Sequence, residues 1–292
     1  MHLVEKMKSR FAIPHVFLLV PLLLPGSVFA AGHGPIFGLA TSTLGKESWS
    51  VDVAAMDRIA GREQTVMLRS MIGYGITEDL QVSVSLPMPL YHRPRIPQMR
   101  TMAMMPANAD IELLLGWRFH KRNLTIGARF ESTAYLGYAY ATDAERNGIQ
   151  TWPGLYTALA TGYTSRTVCF WIGGKYRRYM SPSGDSIDRT GDLATYSFVF
   201  GYRPGFFRKD YPRPDWRLFI EAVGEYSARN RRGGRSLLDS GGHQTFIGPT
   251  VLGLYGSWGI SFGSLFSVYS NMNGSQSEDD VRIVVNYTYW II

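Results

Sequence analysis

The stretch that most constrains this chain is its last one. From Val281 to Ile291, apolar and aromatic side chains hold every second position: Val281, Ile283, Val285, Tyr287, Tyr289 and Ile291. Arg282, Asn286 and Thr288 share the other parity with Trp290 and Ile292. A period of two gives a β-strand one apolar and one polar face. At about ten residues, its length matches a tilted strand that crosses a bilayer. Lipid cannot hydrogen-bond a bare strand edge, so such a strand has to belong to a closed cylinder. Its neighbours are then expected to be residues 260–269 on one side and the first strand, residues 48–55, on the other.

The N-terminus reads as an export signal. Lys6, Lys8 and Arg10 precede an apolar core over residues 16–24, and Val28-Phe29-Ala30 fits a small-residue cleavage site. That core is too short to span a membrane. The expected organisation is a signal peptide over residues 1–30 and a single β domain over 31–292. The lone cysteine, Cys169, excludes an intrachain disulfide. Part of the formal net charge of +7 belongs to the leader, and the modest remainder does not point to a nucleic-acid partner.

Alternation recurs along the chain. Trp49, Val51, Val53 and Ala55 are followed by Val66, Leu68 and Ile72, and then by Leu80, Val82, Val84 and Leu86, with Pro87 and Pro89 expected to end that strand. Residues 110–119 and 124–135 read as a hairpin around a turn at His120-Lys121-Arg122-Asn123. A second hairpin joins residues 155–163 to 167–176 around Ser165-Arg166. Residues 192–203, 216–226, 243–255 and 260–269 complete the set before the closing strand, and Pro249 suggests a bulge. The count is about twelve, an even number as single-chain bacterial barrels require. Short connections alternate with longer ones, which places both termini in the periplasm and the long loops outside. Many segments end in Tyr, Trp or Phe, as in interfacial girdles, whereas a soluble sandwich buries mostly aliphatics. The fold class is therefore all-β: a transmembrane antiparallel up-and-down barrel in the bacterial outer membrane, with lipid, lipopolysaccharide and the barrel-assembly machinery as partners.

Three features carry a family resemblance: His33-Gly34-Pro35-Ile36-Phe37-Gly38, the run from Met71 through Gly73-Tyr74-Gly75-Ile76-Thr77-Glu78-Asp79 to Val82, and the aromatic closing strand. Together they resemble the broad group of outer-membrane channels associated with aromatic-compound (phenol) degradation pathways and related uncharacterised transporters. The resemblance implies a barrel with a transport role and assigns no site residues.

The polar parity places Asp52, Arg69, Glu112, Arg118, Arg129, Glu131, Lys175, Arg177, Arg203, Arg217, Glu221, Glu225 and Arg282 in the lumen. Two readings follow: a charged pore lining that selects solutes, or charges that pair off and fill a narrow barrel. Met99, Met102, Met104 and Met105, with His92 upstream, concentrate thioethers of the kind that hold Cu(I), although such clusters also serve as plain apolar surface. Cleavage after Ala30 would expose Ala31-Gly32-His33, a nitrogen set suited to square-planar Cu(II) or Ni(II). Arg229, Arg231, Arg232 and Arg235 suit lipopolysaccharide phosphates. A lipid hydrolase would need a Ser/His pair, and of His33, His92, His120 and His243 none has a serine evidently placed beside it. The expectation is a non-enzymatic channel without cofactor, passing small solutes, aromatic or apolar ones among them. The alternatives are a closed structural or adhesive barrel and copper-related transport.

Overall fold

The structure, a computed structural model, describes residues 34–93, 110–142, 145–146, 149–181, 188–208 and 213–291. Twelve long strands form one closed antiparallel barrel. In chain order they are β1 (Trp49–Ala60), β2 (Glu63–Gly75), β3 (Leu80–Arg93), β4 (Ile111–Thr125), β5 (Ala128–Tyr140) and β6 (Gly154–Thr164). The second half comprises β7 (Val168–Tyr179), β8 (Leu193–Tyr202), β9 (Asp215–Ser227), β10 (Gly242–Tyr255), β11 (Trp258–Met272) and β12 (Val281–Ile291). Two small hairpins, Glu145–Arg146 with Ile149–Gln150 and Arg231–Arg232 with Arg235–Ser236, stand apart from the barrel in the longer loops.

Each strand pairs with its sequence neighbours, and the ring closes where β1 meets β12, from Trp49 opposite Ile291 to Ile59 opposite Val281. The closing strand thus has the two expected neighbours. Closure removes every free edge, so the backbone can be satisfied without water. Alternate residues of most strands are buried and exposed, as in β7 and β8. The outward parity carries Val53, Leu113, Ile172, Phe198, Phe200, Ile220 and Phe262, an apolar surface that suits lipid. At the end where β1 begins and β12 ends, called the terminal end, Trp49 packs on Tyr74, Tyr255 stacks on Trp258, and Trp258 on Tyr287. These amphipathic rings form a girdle.

Three details depart from the sequence reading. The β4–β5 turn lies at Ile126-Gly127 rather than at residues 120–123, and Gly127 supplies the positive φ (78°) that the tight turn requires. Register shifts at Arg118/His120 and Asn123/Thr125 let this hairpin run on beyond the barrel end, where polar residues remain strand-paired. Pro87 and Pro89 do not end β3. Beyond Ser85 the strand pairs, among the described residues, with β2 alone, and two prolines spaced by two direct their missing donors to one side. The β10 bulge falls at Thr245/Phe246 and not at Pro249.

The N-terminal segment ahead of β1 does not lie outside the barrel. Residues 34–48 run through its interior. Ile36 and Phe37 join Met56, Met67, Phe246 and Leu265 in an apolar layer, and Leu39 packs near Ala158 and Ala160. Leu44 enters a second cluster with Trp171, Phe219 and Trp290. A turn at Lys46-Glu47, with Glu47 at φ 60°, then swings the chain into β1.

Candidate functional site: the barrel interior

The inner segment is held by wall groups that reach it along its length. The backbone N–H groups of Ile36, Phe37 and Gly38 all donate to the Glu221 carboxylate on β9, at 2.9, 2.8 and 2.8 Å. Successive N–H groups converging on one anion form a backbone nest. Leu39 N–H donates to Ser197 Oγ at 3.2 Å, and the Tyr135 hydroxyl donates to the Ala40 carbonyl at 2.6 Å. Thr41 is engaged by three side chains of two strands, β5 and β7. Its hydroxyl donates to Glu131 and accepts from the Trp171 indole, and its carbonyl accepts from the Thr133 hydroxyl. Leu44 N–H donates to Gln81 Oε1 at 2.8 Å, and Glu47 N–H to the Gly75 carbonyl at 2.7 Å. Gly75 is required by this path: a Cβ there would run into the Gly45 carbonyl.

The thirteen charged positions read from the alternation fall into separate groups. Near the terminal end, Arg118 bridges Asp79 (2.7 Å), Glu131 (2.9 Å) and the Glu78 carbonyl (2.8 Å), and Arg129 adds a contact to Glu131 at 3.0 Å. Arg203 and Arg217, only partly buried, share Asp215. Arg177 pairs with Glu112 and stands 3.9 Å from Asp110. Toward the opposite, loop end, Arg282 makes two 2.7 Å bonds to Glu225 and two more to Asp279, and lies over the Phe246 ring. Arg58 donates to the same Asp279 at 2.7 Å. Asp52 accepts from Thr288 at 2.5 Å and is the carboxylate that acts electrostatically on Arg69. Buried pairs of this kind trade desolvation against strong, geometrically fixed bonds.

Lys175 differs. It is 9% exposed, and among the described residues no carboxylate stands within ion-pair distance of its ammonium. The Nζ lies 4.0 Å from the centroid of the Tyr156 ring. Tyr156 is fixed by a 3.3 Å bond from its hydroxyl to Glu112 and by Gly137, where a Cβ would collide with the ring. Both residues line a cavity of about 170 Å³ between the inner segment and the β2–β7 wall. Leu39, Leu44, Met71 and Leu114 form its apolar sides.

The partners Asp79, Asp110, Asp215 and Asp279 and the inner segment are not among the residues that alternation singles out. One signal for that segment was present: residues 34–45 carry no charge, which is unusual for a solvated linker. His33, Met99, Met102, Met104 and Met105 lie outside the described residues; among those described, no group of three or more His, Cys, Asp or Glu is arranged to hold a metal. His243 bonds the Tyr196 hydroxyl at 3.1 Å and Thr245 at 3.4 Å, so its partners are a phenol and a threonine. Arg231, Arg232 and Arg235 are exposed on their hairpin.

A closed twelve-stranded antiparallel barrel with an apolar exterior and a polar, charge-paired interior is the architecture of outer-membrane β-barrels. No protein-family profile and no curated protein sequence matches the chain. Among solved structures, the chain is similar to the COG4313 outer membrane channel from Pseudomonas putida F1, with a TM-score of 0.62 at 10% identity, covering 86% of this chain and 98% of that one. It is also similar to the NanC porin, with a TM-score of 0.50 at 9% identity over 82% of this chain and 98% of the porin. At these identities the likeness is one of fold.

Proposed function

We propose that this protein is an outer-membrane channel for small solutes whose lumen is stoppered from within by its own N-terminal segment. The observation that carries the reading is the seating of residues 34–45 across the interior, latched by three N–H bonds to Glu221. A barrel that served only as a scaffold would have no need of a separable segment inside it. In this reading the termini face the periplasm, the longer loops face outward, and the arginine hairpin at Arg231, Arg232 and Arg235 meets lipopolysaccharide phosphates. The similarity of fold to the COG4313 channel and the NanC porin supports transport over chemistry.

Planar-bilayer recording tests it. Full-length mature protein is expected to give small or rare openings, and a variant lacking residues 34–45 to give larger, sustained ones. A deletion variant that keeps the heat-modifiable mobility of a folded barrel yet passes no current would support the closed structural or adhesive barrel instead.

A further inference from the structure

The cavity beside the inner segment has a charge balance that selects its occupant. Glu112 is engaged by Arg177 and by the Tyr156 hydroxyl, and Arg69 lies in the field of Asp52. Gln81 spends its carbonyl oxygen on Leu44 N–H. What remains is the Lys175 ammonium, buried with only an aromatic face against it, and the Ser85 hydroxyl, buried without a hydrogen-bond partner. Both line this cavity. Glu225 acts on Lys175 only from beyond ion-pair distance and is itself bonded twice by Arg282. A buried cation so weakly countered is costly, and an anion brought to it is correspondingly favoured.

Resting on the channel reading above, we propose that this cavity is a binding site for a small monocarboxylate with an apolar body, Lys175 anchoring the carboxylate and Ser85 donating to it. The size follows from the space. A cavity of roughly 150 Å³ lined by aliphatic side chains holds one benzene ring, and this one, at about 170 Å³, offers Leu39, Leu44, Met71 and Leu114 to such a body. Polyhydroxylated acids fit poorly, because their hydroxyls would face those aliphatic walls unpaired. The inner segment supplies part of the wall through Leu39 and Leu44, so the acid binds beneath the stopper and against it.

Titration calorimetry on the detergent-purified mature protein separates this from the channel reading, because it needs no current. Benzoate, benzyl alcohol and gluconate serve as probes. Benzoate is expected to bind about tenfold or more tightly than benzyl alcohol, its neutral counterpart of the same size, and more tightly than gluconate. In Lys175→Met, with folding verified by heat-modifiable mobility, the preference for benzoate over benzyl alcohol should vanish. The comparison of probes on the unmutated protein stands even if that variant misfolds. Equal binding of benzoate and benzyl alcohol, or no binding of either, would show that lumenal water solvates Lys175 and would overturn the site. A deletion variant that passes no current would instead sink the channel reading while leaving a measured benzoate preference intact.

Discussion

Glu221 shows how one side chain can hold a segment that no strand pairs. Its carboxylate takes three consecutive N–H groups, while Gly38 lets the backbone pass where a Cβ would meet Val199. Those amides belong to no ladder, yet hydrogen exchange should find them protected in the native protein. Glu221→Gln keeps the shape but offers a neutral oxygen and two donors to a ring of donors, so the same amides should exchange rapidly and channel openings should lengthen. Exchange unchanged in that variant would mean that the apolar contacts of Phe37 suffice. Arg282 makes a contrasting case. Fully buried between Glu225 and Asp279, it leaves the Glu225 carboxylate stranded if truncated, while Asp279 keeps Arg58. Arg282→Met should cost about 3–5 kcal/mol, read from urea unfolding in detergent. Adding Glu225→Gln to that variant should recover part of the loss, since the stranded charge goes with it.

At the scale of elements, the strands were legible in the sequence and the inner segment was not. Alternation in Val281–Ile291 fixes which face meets lipid, because a one-residue slip would turn Val285, Tyr287 and Ile291 inward and carry Arg282 into lipid. It says nothing of what sits across the lumen, so the partnership of Arg282 with Glu225, 57 positions apart, could not be read from it. Turn positions were less secure. The polar run at residues 120–123 looks like a loop, but the ladder continues through it, and only Gly127 with its positive φ marks the true reversal. The prolines of β3 misled for a related reason: they forbid a partner on one side only. Gly75 offers a test of the segment's path. In Gly75→Val the added side chain occupies the place of the Gly45 carbonyl. The barrel should still fold, since β2 keeps both neighbours, while conductance rises toward that of the deletion variant. A Gly75→Val protein that conducts like the parent would place the stopper elsewhere.

On the scale of the whole molecule, the barrel and its contents are one covalent object. The stopper is joined to β1 through the short turn at Lys46-Glu47, so it behaves as a ligand tethered next to its own receptor. Short tethers present such a ligand at an effective concentration on the order of millimolar. Each release is therefore followed by rapid recapture, and the fraction of time spent open reflects the unlatching equilibrium, not the amount of protein present. A free peptide of residues 34–45 added to the deletion variant has no tether to help it. It should half-silence the pore at its own dissociation constant and match the parent's closed fraction only near the millimolar level that the tether supplies, which gives the strength of the latch a direct electrical measure.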